Sequence, residues 1–234
     1  MIPPGAEAAA GLGIAGQPFI DWGWIGQNLD TILRAFLQHV EYTVIAVGIG
    51  FMISFPLAVA AHRHRWLYPP LTWITGLLYT IPSLALFVLL IPFTGLSAVT
   101  AEIGLVSYTL LILLRNVVTG LRGIPEDVKE AARGMGYTDR QLLGRVELPL
   151  ALPAIAAGIR IATVTTIGLV TVTALIGKGG LGLLIYQGLR ESFPTAALTG
   201  TVLSVLFAIA ADWALLAGQR AITPWSPRRE RVEA

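Results

Sequence analysis

The sequence contains no cysteine, few charges and only three histidines. The first absence rules out disulfides, thiolate chemistry and any metal held by sulfur. Charged residues fill 13% of the 234 positions against 55% hydrophobic, and the mean hydropathy is +0.72. A chain so composed cannot present a water-soluble surface, and it belongs in a membrane. His39, His62 and His64 are too dispersed for a metal site; His62 and His64 flank Arg63, next to Arg65, and lipid-headgroup anchoring is the plain expectation for all three. No Ser-His-Asp set or carboxylate pair can be assembled at one membrane level, which argues against an intramembrane enzyme. No G-x-x-x-x-G-K-[ST] phosphate loop occurs: in "ALIGKGGLGLL", Lys178 is followed by Gly179 where Ser or Thr is needed. The stretch reads instead as a flexible turn. Basic residues fall at helix ends rather than in one patch, so nucleic acid is excluded as a partner. The opening "MIPPGAEAAAGLGIAG" lacks the basic and apolar regions of a signal peptide, so insertion is expected to rest on the first spanning helix.

A helix needs about 20 apolar residues to cross a hydrocarbon core of about 30 Å. Five runs qualify: Tyr42 to Ala61, about Pro70 to Pro92, about Val99 to Leu121, Pro153 to about Gly177, and Thr195 to about Ala217. Glu102 and Arg115 must then lie near opposite ends of the third, because an ionised group at mid-bilayer costs several kcal/mol. Pro82 should kink the second span. Apolar residues at Leu29, Ile32, Leu33, Phe36, Leu37 and Val40 form a helical stripe, preceded by Trp22 and Trp24. This is either an interfacial helix or the start of an overlong first span. Basic residues favour the cytoplasmic side of helix ends. An outside N-terminus puts thirteen of the sixteen Lys and Arg inside and leaves Arg34, Lys178 and Arg190 outside. The expected organisation is an external segment over 1–38 with a candidate interfacial helix, a membrane domain over 39–218, and a basic cytoplasmic tail over 219–234. Arg115, Arg160 and Asp212 can each snorkel to the inner interface; the sharper alternative is an ion pair of Asp212 with Arg115 or Arg160.

Residues 130 to 149, "EAARGMGYTDRQLLGRVELP", carry six charged side chains inside this apolar chain. Pro125 suits a helix start, with Glu126 and Asp127 at its positive end and Lys129 and Arg133 further on. Gly134 and Gly136 are expected to stop that helix, Thr138 and Gln141 to form a T-x-x-Q capping box, and Pro149 and Pro153 to end the second helix before the fourth span. Ala131 and Ala132 leave the first helix a shallow surface. A stiff helix, glycine turn and helix thus stand on the cytoplasmic side, over 124–149.

Glu130, Ala131, Ala132, Gly136, Leu148 and Pro149 match at fixed spacing the E-A-A, G and I-x-L-P pattern of the coupling loop of ATP-binding-cassette importer permeases, with Val146 in place of Ile. Together with "YTIPSLALFVLLIP", "LLRNVVTGL", "LPLALPAIAAGIRIATVTTIG" and "ALIGKGGLG", the chain from about Gln38 to Leu189 resembles the osmoprotectant permeases for glycine betaine, choline and carnitine. The resemblance implies an all-α bundle of about five spans, of the type I importer permease kind, in the inner membrane, forming half of a translocation pathway. It implies no cofactor on this chain, ATP and Mg on separate ATPase subunits, a second permease, identical or homologous, and an extracytoplasmic binding protein. Glu130, Ala131, Ala132, Gly134, Gly136, Thr138, Leu148 and Pro149 would form the ATPase-coupling surface. Trp73, Tyr79, Phe87 and Tyr108 could offer ring faces to a quaternary ammonium ion, with Pro82 beside the pathway. Related importers for methionine or other amino acids share the coupling loop. An ion-coupled secondary transporter would need mid-bilayer carboxylates, and none is found there. A scaffold recruiting a cytosolic partner through residues 130–149 is a further alternative.

Overall fold

The computed structural model describes residues 20–225, and the structure among them is helical throughout. The segment up to Gly16 and the tail arginines Arg228, Arg229 and Arg231 lie outside those residues. A short helix, α1 (Trp22–Gln27), is capped by the Asp21 side chain, which accepts from the Trp24 amide at 2.9 Å. It leads into α2 (Leu29–Arg63), one continuous helix of 35 residues. The Leu29–Val40 stripe is thus continuous with the first expected span. At 1.5 Å per residue α2 extends roughly 50 Å, well beyond a hydrocarbon core of about 30 Å. Its first turns are held by packing, since Ile32 is buried with Leu181 and Leu184 and is flanked by Trp24, Phe36 and Leu203.

The kink expected at Pro82 is a full break. Helix α3 (Tyr68–Thr80) follows a 3-10 turn at Arg65–Leu67, and α4 (Ser83–Thr94) starts after Pro82, the two bent by 95°. Proline has no amide to donate and disfavours helical backbone in the residue before it, so the break falls at Ile81–Pro82. Helix α5 (Ala98–Arg122) matches the third expected span within a residue at each end. After α6 (Glu126–Gly134), a helix runs without interruption from Asp139 to Ile176. It consists of α7 (Asp139–Leu142), a π turn (Leu143–Glu147), α8 (Leu148–Val172) and a 3-10 turn (Thr173–Ile176). Helix α9 (Leu181–Arg190) precedes α10 (Pro194–Ile222). Among the described residues four helices are long and apolar enough to cross a membrane, or five counting the α3–α4 pair as one broken span.

Pro149 and Pro153 were expected to end a helix, and they do not. The π turn explains the first. Its wider ladder runs from the Leu148 amide to the Leu143 carbonyl, one residue further back than in an α-helix, giving the Pro149 ring room within the turn. Pro153 is carried inside α8.

The chain divides into two compact units. One comprises residues up to 47, 81–106 and 165–209; the other comprises 48–80, 107–164 and 210 onward. The second unit holds a core of Ala58 and Ala61 from α2, Leu114, Val117, Val118 and Leu121 from α5, and Ala151 and Ile155 from α8. Small residues set its spacing: a Cβ on Gly120 would sit 2.9 Å from the Ala154 Cβ, and one on Gly158 2.5 Å from the Asn116 Cβ. Apolar lipid tails provide no hydrophobic drive between spans, so close backbone approach of this kind is what makes them cohere. Every described Lys and Arg assigned to the cytoplasm by charge lies in this unit, and Arg34, Lys178 and Arg190 lie in the other.

Candidate functional site

The polar passage folds as a capped elbow. Pro125 is extended (φ −56°, ψ 142°) and sets the start of α6, with Glu126 and Asp127 in its first turn. Glu126 accepts from Lys129 at 3.2 Å and from Arg133 at 3.0 Å. The Arg133 hydrogen bond, more than that of Lys129, holds the Glu126 carboxyl below the usual carboxylate range. A depressed carboxylate lends stability above its unfolded pKa and loses it as pH falls through the folded one, so this staple holds at neutral pH and weakens only in acid. At the far end the Tyr137 amide donates to the Ala132 carbonyl at 3.2 Å and the Gly136 amide to Arg133 at 2.9 Å. These two bonds form a Schellman motif around Gly136, whose φ of +84° is the left-handed value that glycine tolerates. Gly134, expected to share that role, is instead an ordinary helical residue of α6. The Thr138–Gln141 capping box is complete, with both reciprocal bonds formed.

The elbow has two faces. Lys129, Ala132 and Leu142 are buried, so Ala132 belongs to the packed side and not to the shallow outer surface expected for it. Glu130, Ala131, Gly134, Gly136 and Thr138 are exposed, and Met135 joins them at 71%. Leu148 and Pro149 are half-buried where α8 begins.

The membrane-level groups sort differently from a snorkelling picture. Arg160 on α8 grips Asp212 on α10 with two hydrogen bonds of 2.9 Å. Arg115 is exposed and makes no ion pair among the described residues. Of the aromatic set, Tyr79 and Tyr108 meet edge to face at 5.8 Å. Phe87 is fully buried, with its ring where a Cβ on Gly104 would be, so it presents no free face. Trp73 is 69% exposed, and Pro82 stands at the head of α4. Removing one member of the Arg160–Asp212 pair strands the other charge in a spanning helix, whereas removing both does not. Asp212→Ala and Arg160→Leu should therefore each lower the yield of monodisperse detergent-solubilised protein more than the double variant does. A double variant as poor as the worse single would sink this account.

Residues 46–223 match the family of binding-protein-dependent transport system inner membrane components. The chain belongs to that family. It is similar to the osmoprotectant import permease protein OsmW of Salmonella typhimurium, 41% identical over 84% of this chain and 94% of the relative. It is also similar to the choline transport system permease protein OpuBB of Bacillus subtilis, at 36% over 86% of this chain and 93% of the relative. Among solved structures, an inward-facing MetNI methionine ABC transporter matches with a TM-score of 0.76 and 27% identity, over 83% of this chain and 97% of that one. This protein is thus an inner-membrane permease subunit with the type I importer fold.

Several residues of the permease escaped sequence reasoning. His39 is no headgroup anchor: it is fully buried, and its Nε2 is 3.0 Å from the Ile167 carbonyl. His62, also read as an anchor, is paired with Glu147 at 3.2 Å; His64 is exposed. Arg122 donates to the Ala61 carbonyl at 3.1 Å and lies 4.4 Å over the Tyr68 ring, fastening α5 to the end of α2 and the start of α3. In the glycine segment before α9, read from the sequence as a flexible turn, Gly179 and Gly180 are packed against their neighbours: a Cβ on Gly179 would lie 2.6 Å from the Val170 carbonyl. No cluster of three or more metal-ligating side chains occurs among the described residues.

Proposed function

We propose that this permease imports a quaternary ammonium osmoprotectant of the glycine betaine, choline and carnitine class, and that the elbow over residues 126–142 docks a separate ATPase subunit. The observation that carries the docking reading is the exposed row Glu130, Ala131, Gly134 and Gly136 on a stiff, doubly capped element. Such a row offers a partner a shallow, pre-organised face at little ordering cost. The substrate class is supported by the relatives named for osmoprotectant, choline and carnitine transport. Charge supports the orientation: the elbow shares its unit with most of the basic residues, which favours a cytoplasmic position for that end and an outside N-terminus. ATP and Mg are then handled by the ATPase, a second permease completes the pathway, and an extracytoplasmic binding protein delivers the solute.

Reconstitution tests the reading. Vesicles holding the permease with its ATPase, and supplied with the binding protein, should take up labelled glycine betaine, choline or carnitine only when ATP is present on the ATPase side. Uptake of methionine without any of the three would overturn the substrate class and leave the importer standing.

A further inference from the structure

The end of α2 carries a polar contact that its apolar surroundings do not require. Ala58 and Ala61 are fully buried in the second unit's core. His62, next in the chain, turns its Nε2 to the Glu147 Oε1 at 3.2 Å. Both side chains are largely enclosed, 13% and 8% exposed, and the His62 Nδ1 is buried without a partner among the described residues. A carboxylate oxygen accepts, and the Nε2 facing it donates in the tautomer that carries its proton there. Enclosing such a pair costs desolvation that an apolar pair would not, so it adds directional contact rather than stability.

Its position gives that contact a use. Glu147 is the last residue of the π turn, where the elbow's second helix becomes the spanning helix α8. An extra residue in a turn rotates the side chains beyond it by about 100°, the angular step of one residue. The apolar contacts of this core are non-directional, whereas the hydrogen-bonded pair fixes one register. A second polar fastening of α2 at this end, Arg122 on the Ala61 carbonyl, comes from α5 and does not involve the elbow.

We infer that His62 and Glu147 form the link through which displacement of the elbow is passed to α2, so that His62 is a positioning residue for coupling. The inference rests on the elbow being the ATPase dock. Its test is designed to fail separately from that reading. In the complete complex of permease, ATPase and binding protein, His62→Ala should leave the ATPase attached on size-exclusion chromatography and its basal hydrolysis intact. Solute moved per ATP hydrolysed should fall about tenfold, the size of effect that removing one coupling contact produces. His62→Gln, which keeps a donor near Glu147, and the exchange variant His62→Glu with Glu147→His should recover most of the loss. A merely structural role would lower assembly and hydrolysis along with transport and would not be rescued by exchange. Normal transport per ATP in His62→Ala, loss of the ATPase from the complex, or failure of both rescues would each overturn the inference. Loss of docking in elbow variants bears on the docking reading alone.

Discussion

Gly136→Asp should abolish ATP-driven uptake while leaving the permease inserted and folded. Gly136 has φ +84°, and a Cβ built on it meets nothing within 4 Å of its own chain. The fold therefore has room for a side chain there, and the internal cost is backbone strain of about 1–2 kcal/mol, less for Asn or Asp. What a side chain would meet is whatever packs on the exposed row of the elbow. Interface truncations or intrusions at such a centre cost about 2 kcal/mol or more, and each 1.4 kcal/mol is tenfold in affinity. Gly136→Asn separates the two effects, because Asn tolerates the left-handed conformation yet still adds bulk. If docking is the function of the row, Gly136→Asn should impair ATPase retention nearly as much as Gly136→Asp, and Glu130→Arg should do so without touching the backbone turn. Normal uptake and ATPase retention in Gly136→Asn and Glu130→Arg would reduce the passage to a well-capped loop.

The features legible in the sequence were those written in local spacing or in scarce residue types. Thr138 and Gln141 are three apart and form their capping box whatever the tertiary context. Charges are rare in the spans, so Asp212 had few partners to choose from, and Arg160 was one of two named for it. The contacts that escaped are long-range. His62 and Glu147 are 85 positions apart, and His39 and Ile167 are 128 apart, so no periodicity announces either. Beside Arg63 and Arg65, His62 read as an interfacial residue because the partner that encloses it, Glu147, is remote in the chain. Pro149 misled for a different reason: a π turn is invisible to spacing rules built on 3.6 residues per turn. Helix α9 was hidden by its own glycines, which serve close packing rather than flexibility. A Cβ on Gly188 would approach the Phe193 carbonyl to 2.8 Å, and one on Gly182 would approach the Thr171 Cα to 2.6 Å.

That packing leads to the second large effect. Gly180→Val should prevent the permease from reaching its folded state, whereas Gly177→Val, three residues away, should be tolerated. Both glycines have positive φ, but Gly177 (φ +73°, ψ 17°) is in the left-handed region, where a side chain costs about 1–2 kcal/mol, whereas Gly180 (φ +52°, ψ −118°) lies outside every region open to L residues and would be strained further. They differ also in what the Cβ meets. At Gly177 it meets nothing within 4 Å, while at Gly180 it would lie 2.5 Å from the Ala35 carbonyl and 2.6 Å from the His39 amide. Those are backbone atoms of α2, and they cannot rotate away as a side chain can. Relief would require moving α2 as a body, which would also stretch the bond from the Gly180 amide to the Gln38 side chain, 3.2 Å, and disturb the Ile32, Leu181 and Leu184 cluster. Overpacking alone costs about 1–3 kcal/mol where side chains can adjust. Added to the strain, and with no side chain to adjust, it consumes much of the 5–15 kcal/mol that typically separates folded from unfolded protein. Yield and thermal stability of the detergent-purified subunit measure the difference, with Gly177→Val as the control for a valine at a left-handed glycine in open space. If Gly180→Val melts within a few degrees of Gly177→Val, the glycine segment is the flexible turn its composition suggests and the close approach of α9 to α2 is wrong.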